Sequence, residues 1–209
     1  MRLIITGCEY SGKSTLGAEL NRWGRARGLH FHLDDHFTVP DASLRSDEER
    51  RYAAGAPPAM KERFQRFQIY YHLHLLHVYE DICLVGFHSE EAVYGPRYYY
   101  PGRGLPQNYH RQIEKEVPRD TILCLLSAAP EVIRARMRAA PHPHQVVPAA
   151  DVEAVQAAFE EEFAASWLKR KARLDTSELA VDGMVDALLE QIKGFLPPRD
   201  LLLLRSDLS

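Results

Sequence analysis

Two rhythms of apolar residues alternate along this chain. Short unbroken runs, Leu3-Ile4-Ile5, Ile82-Cys83-Leu84-Val85 and Thr121 to Leu126, suit strands buried on both faces of a parallel sheet. Between them apolar residues recur every three or four positions, as on one face of a helix. Leu16, Leu20 and Trp23 predict a helix over Ser14 to Arg27, stopped by Gly28. Phe64, Phe67, Tyr71, Leu75 and Val78 predict a long helix from about Ala59 to Glu80. Val155, Phe159, Phe163 and Trp167 line a third, capped by Asp151. Met184, Val185, Leu188, Leu189 and Ile192 line the last, which starts at Thr176 or Ser177 and is ended by Gly194 and Pro197-Pro198. With residues 2 to 6 as the first strand, His30 to Leu33 and Arg173 to Asp175 bring the strand count to five.

The remaining stretches are less regular. From the acidic pair Asp34-Asp35 to Pro58 the chain is polar and broken by Pro40, Gly55, Pro57 and Pro58, with one short helix where Ser46 and Glu49 form a capping box. Gly86 to Asn108 is rich in Tyr, Pro and Gly and reads mostly as loop, followed by a short helix to Val117. Pro130 to Met137 starts a helix, and Ala139 to Pro148, with three prolines and two histidines, is loop. Leu201 to Leu204 is an apolar tail that docks on the body or on a second subunit, leaving a homodimer open. Five strands alternating with helices predict one α/β domain over 1–209: a five-stranded parallel sheet in a three-layer sandwich, with ligands at the carboxyl ends of the strands.

Composition narrows the partners. The 209 residues carry 26 Lys and Arg against 29 Asp and Glu, a net charge of -3, so nothing draws the whole chain to nucleic acid or an anionic membrane. Any phosphate binding must be local. Three widely spaced cysteines, two of them in apolar runs, suit a reduced chain. With a Gly-rich loop at residue 7 and no apolar run approaching 18 residues, the expectation is a soluble, cytoplasmic protein.

Gly7-Cys8-Glu9-Tyr10-Ser11-Gly12-Lys13-Ser14 matches the phosphate-binding pattern G-x-x-x-x-G-K-[ST], between a strand and a helix as that motif requires. The glycines let the backbone curl so that its amides form an anion nest backed by a helix N-terminus. Lys13 is placed to reach the β- and γ-phosphates and the Ser14 hydroxyl to hold Mg2+. A bound nucleoside triphosphate follows. A guanine-reading Asn-Lys-x-Asp segment is absent, and Ile82 to Val85 runs into Gly86-Phe87-His88 rather than the acid of a motor ATPase. Asp34 and Asp35 stand where a small kinase keeps an acid to deprotonate an acceptor hydroxyl, although Asp also caps ordinary turns. Asp34 is the first choice as base and Mg2+ ligand, with Asp35 the alternative. The pairs His32 and His36, His74 and His77, and His142 and His144 lack the Cys or acidic partners of a zinc site.

The chain resembles the P-loop nucleoside and nucleotide kinases, the thymidylate kinase and deoxynucleoside kinase group. The resemblance rests on Gly7 to Thr15, the acid in Leu33-Asp34-Asp35-His36-Phe37, the segment Gly86 to Tyr94, Pro130-Glu131-Val132 with Arg134, Arg136 and Arg138, and Leu174-Asp175-Thr176-Ser177. Gly86-Phe87-His88 departs from the Asp-Arg or Glu-Arg pair those kinases carry. The resemblance implies ATP and Mg2+ as cofactors and a P-loop kinase fold with a short lid at about 134–150. It implies that Lys13, Asp34 or Asp35, and Arg136 are catalytic. Gly7, Glu9, Tyr10, Ser11, Gly12, Lys13, Ser14, Thr15, Arg134, Arg138 and Thr176 would hold the nucleotide. His36, Phe67, Tyr71, His88, Glu90, Tyr94 and Arg97 would meet the acceptor, within segments 35–75 and 86–110. The bland alternatives are a solvated helix face for the arginines and a packed Tyr-rich loop for the acceptor segment. A kinase acting on a sugar, antibiotic or vitamin-like alcohol, and a nucleotide-binding regulatory module, stay open.

Overall fold

The computed structural model describes residues 1–35, 46–103, 108–141 and 144–205. Five strands, β1 (Arg2–Thr6), β2 (His32–Asp35), β3 (Ile82–Val85), β4 (Ile122–Ser127) and β5 (Arg170–Asp175), form one sheet in the order β2-β3-β1-β4-β5, and every neighbouring pair is parallel. The apolar runs end where their strands end, because β1, β3 and β4 are covered from both sides.

On one face pack α1 (Lys13–Arg25), α8 (Met184–Ile192) and α9 (Pro198–Arg205), around Leu16, Leu20, Val185, Leu188 and the sheet residues Leu3, Ile5 and Cys124. On the other pack α3 (Pro58–Val78), α4 (His88–Tyr94) and α7 (Val152–Ala165), around Ile69, Leu76, Phe159 and the sheet residues Ile4, Leu84 and Leu123. Alternate residues of one strand thus serve opposite layers, as the pleat demands. The tail from Leu201 belongs to α9, with Leu201, Leu203 and Leu204 against the body.

Three expectations change. Within the segment read as loop, residues 88–99 are helical: α4 is followed by a π-helix at Gly95–Tyr99, and α5 (Tyr109–Glu116) comes after Asn108. The segment's tyrosines are core residues, Tyr94 and Tyr100 wholly enclosed, which a Tyr-, Pro- and Gly-rich composition conceals. The helix expected to start at Thr176 or Ser177, α8, begins at Met184, because Thr176 and Ser177 are occupied in bonds to neighbouring residues. Asp151 stands at the N-cap position of α7 but makes no side-chain cap bond; its carboxylate instead accepts from the Tyr98 hydroxyl at 2.9 Å. The capping box of α2 (Asp47–Ala54) does form, Ser46 and Glu49 each accepting the other's amide. Among the described residues no helix is long and apolar enough to cross a membrane.

Candidate active site

At the carboxyl end of β1 the chain turns through Gly7 (φ +146) and Gly12 (φ +97) into α1. A side chain at Gly7 would place its Cβ 2.2 Å from the Leu126 carbonyl, so only glycine fits between the loop and β4. No side chain caps α1 and no acid occupies its first turn. Its opening amides and positive dipole end are left for an external anion.

A cavity of about 290 Å3 opens here, lined by Cys8, Glu9, Tyr10, Gly12, Lys13, Ser14 and Thr15 of the loop together with Asp35, Val85, Glu90 and Ala140. Lys13 is buried; its Nζ donates to the Gly7 carbonyl at 2.5 Å and lies 3.1 Å from Glu90 Oε2. Burial opposes both charges. Lys13 nevertheless holds its proton above the ordinary range because Glu90 and neighbouring groups outweigh the desolvation, while burial raises the Glu90 carboxyl more than Lys13 lowers it.

Strand parity separates the two acids of β2. Asp34 turns toward α3, with His72 Nε2 at 3.8 Å and His32 Nε2 at 3.7 Å. Burial alone would raise its carboxyl, but the His72 hydrogen bond and charge, the Asp35 amide and His32 hold it below the usual range. Asp35 turns the other way, onto the phosphate cavity. Crowded by the cleft walls and repelled by Glu90, with only partial relief from Lys13, its carboxyl rises from 3.8 to about 7 while the side chain keeps contact with cleft water. Asp35, and not Asp34, is the strand-end acid that faces the loop.

Glu90 reaches the cavity because Gly86 (φ +92) and Phe87 (φ +73) turn the chain sharply from β3 into α4. A non-glycine residue at such a φ is strained. Phe87 is fully buried, edge-on to His72 and His88. Three residues later Glu90 puts a carboxylate beside Lys13.

A second cavity, about 210 Å3, shares Tyr10, Gly12 and Thr15 with the first and is closed by Arg136, Leu179, Val181 and Met184. Arg136 of α6 (Pro130–Ala139) donates to the Tyr10 carbonyl at 2.9 Å and the Thr176 carbonyl at 2.7 Å, and Thr176 in turn donates to the Ser11 carbonyl at 2.8 Å. One guanidinium thereby ties the phosphate loop to the turn after β5. Its apolar partners and flat cation suit a purine stacked beside the loop. Arg136→Ala is expected to raise the KM for the nucleotide about tenfold, with a smaller fall in kcat; steady-state kinetics and equilibrium nucleotide binding check it. Arg134 lies elsewhere, bonded to the Ala149 carbonyl and Glu153, and Arg138 is exposed and lines neither cavity.

The expected acceptor residues scatter. His88 is buried, its Nε2 2.9 Å from Glu114, which also binds Arg111 and the Trp167 amide. Tyr94 is buried behind the loop and its hydroxyl accepts the Glu9 amide at 2.9 Å. Phe67 is exposed under Arg63, and Tyr71 is half exposed beside Asp34. His36 lies outside the described residues. Only Glu90 and Arg97 line cavities, Arg97 that of about 660 Å3 between α2, the π-helix and residues 144–146. Sequence reasoning missed Arg50, Arg51 and Gln145 there, and Leu179, Val181 and Met184 in the second cavity. The Arg-Arg pair in a capped helix was the one available signal. The segment after α6 is pinned by Glu9, whose carboxylate accepts the amides of Val146 at 2.9 Å and Val147 at 2.8 Å.

No protein-family model matches this sequence, and no curated protein is significantly similar to it. Solved structures are. The YorR protein of Bacillus subtilis, in complex with phosphorylated GDP, superposes with a TM-score of 0.63 at 16% identity over 92% of this chain and 96% of its own. Deoxyadenosine kinase from M. mycoides with bound dATP gives 0.62 at 15% over 92% and 100%, and shikimate kinase from Bacteroides thetaiotaomicron 0.55 at 17% over 92% and 98%. The chain has the P-loop kinase fold. In this kinase fold the phosphate cavity lies where doubly wound sheets bind ligands, past the carboxyl ends of β1, β2 and β3.

Proposed function

We propose that the protein is an ATP-dependent phosphotransferase that moves the γ-phosphoryl group to a nucleoside, a nucleotide or a similar small acceptor. The observation that carries this is the meeting of Lys13, Ser14, Glu90 and Asp35 on one cavity at the mouth of the phosphate loop. An acid facing the mouth of the loop supports transfer over mere nucleotide binding.

The loop amides and Lys13 hold the phosphates and neutralise the charge that builds as the phosphoryl group departs. Lys13 sits between Glu90 and the Gly7 carbonyl, so its cation is fixed in the cavity before any ligand arrives. Asp35 orients the acceptor hydroxyl and takes its proton, a role for which a pKa near the working pH is best suited. Arg136 aligns the base end through Tyr10 and Thr176. The donors present fit Mg2+: the Ser14 hydroxyl and the Glu90 carboxylate are hard oxygen groups lining one cavity, and Asp34 has no part in the set. When bound, Mg2+ would supply charge neutralisation to the phosphates.

The decisive measurement is ADP release with ATP and Mg2+ across a panel of nucleosides, nucleotides and small alcohols. We expect release to rise at least tenfold over the acceptor-free rate with at least one acceptor. A uniformly slow rate, indifferent to every acceptor, sinks the transferase reading and leaves the binding module.

A further inference from the structure

The cavity of about 660 Å3 beside the phosphate site has an unusual charge balance. Arg50 and Arg51 reach it from α2, Arg97 from the π-helix and His144 from the segment after α6. Among the described residues Asp47 is the one carboxylate on its wall, and it lies 3.3 Å from Arg50. Two arginines beyond that pair face the same space, in a chain whose net charge is -3. Arginines brought together from two separate elements, α2 and the π-helix, favour an anion between them. Guanidinium groups are the side chains best shaped to grip phosphate oxygens in pairs.

The cavity adjoins the reacting end of the phosphate site. Val146 lines it and donates its amide to Glu9, which lines the phosphate cavity. Tyr99 also lines it; its ring is buried, its hydroxyl has no hydrogen-bond partner among the described residues, and burial together with the nearby charges of Glu90, Glu9 and Asp35 keeps that hydroxyl protonated. The volume is within the usual range of about 300–1,000 Å3 for small-molecule sites. Carboxylates thus gather at one end, and arginines at the other.

We infer that this cavity holds the acceptor through a phosphate monoester gripped by Arg97, Arg50 and Arg51, so that the substrate is an already phosphorylated alcohol. This rests on the phosphotransferase reading above and narrows it. The polarity of the site turns the acceptor's hydroxyl toward Asp35 and its existing phosphate away from the Glu9, Asp35 and Glu90 carboxylates. The hydroxyl oxygen bonds to the γ-phosphorus, the bond from that phosphorus to the β-bridging oxygen breaks, ADP leaves, and the hydroxyl proton goes to Asp35. The product carries two separate phosphate esters.

Calorimetry and phosphorus NMR test this with nucleoside 5′-monophosphates and pentose 5-phosphates, each against its unphosphorylated counterpart, and ribonate as a carboxylate control. One phosphorylated class should bind at least tenfold more tightly than its counterpart and than ribonate, and which class does so identifies the source of the ester. Arg97→Gln should weaken that binding roughly tenfold to a hundredfold, as loss of charge-assisted bonds does. Arg51→Gln, on an exposed helix, should act the same way should the first variant misfold. ATP affinity, read with a fluorescent analogue, should be unchanged in both. Equal binding of phosphorylated and plain compounds, tighter binding of ribonate, or a product with a diphosphate linkage overturns the inference and leaves the transferase standing. Arginine-dependent phosphate-ester binding without turnover of any acceptor keeps the site and removes the transferase.

Discussion

Lys13→Ala is expected to lower phosphoryl transfer by a hundredfold to a thousandfold or more, the usual cost of losing a group aimed at transition-state charge. Nothing nearby can replace it. Among the described residues Lys13 is the one cation on the wall of the phosphate cavity, and it is enclosed, with Tyr94 and Phe159 each 5.9 Å from its Nζ. Removing it also leaves Glu90 buried without its partner at 3.1 Å, so that carboxyl will take up a proton more readily. A folded variant with normal circular dichroism and near-normal turnover in a coupled assay would remove the cavity from the reaction.

Asp35→Asn carries the second large effect, a loss of about a hundredfold to ten-thousandfold in kcat, the range of positioned acid-base groups. Asp34→Asn should cost far less, because Asp34 faces His72 and not the loop. The pH dependence separates this from a simple charge effect. In the wild type the rate climbs as Asp35 ionises through about 7; in Asp35→Asn that limb disappears. Stability moves in the opposite sense. The folded protein binds the Asp35 proton more tightly than the unfolded chain does, so wild-type stability declines as pH rises from about 4 to about 7 and stays lower above it. Asp35→Asn should therefore raise Tm relative to wild type at pH 8 and leave it nearly unchanged at pH 4, by calorimetry. An equal Tm difference at both pH values would place the Asp35 carboxyl in open water, and a larger kinetic loss at Asp34 would return the base to the α3 side.

The phosphate loop and the five-stranded sheet were legible because each depends on local information. Gly-rich spacing between a strand and a helix has one steric solution, and runs such as Ile82 to Val85 can be satisfied only by burial on both faces. The acids of β2 were readable as a pair and not as individuals. Which one faces the loop depends on where the strand ends; placing that end at Leu33 rather than Asp35 erases the alternation that distinguishes them. The segment from Gly86 to Asn108 failed for another reason. Prolines and glycines ordinarily break helices, yet here Gly95 lies so close to the Tyr100 hydroxyl that a Cβ would stand 2.3 Å away, and the tyrosines fill the core from a π-turn. Long-range packing sets that geometry, and no period of two or 3.6 records it. The arginines of the large cavity come from segments far apart in the chain, so only the fold reveals that they meet.

The parity of β2 also makes the protein sensitive to length before it is sensitive to composition. The turn between α1 and β2 sits at the surface, with Gly28 at φ +75 and open space around it, the kind of place where an inserted or deleted residue is ordinarily harmless. Here a one-residue indel that advances β2 against β3 would exchange the two acids, sending a histidine-held carboxylate's neighbour into the core side and leaving the loop to face the wrong partner. The fold would survive and the chemistry would not. Among proteins sharing this architecture, the distance in residues from the phosphate loop to the strand-end acid should consequently drift in steps of two, or drift freely only where a compensating bulge restores the count.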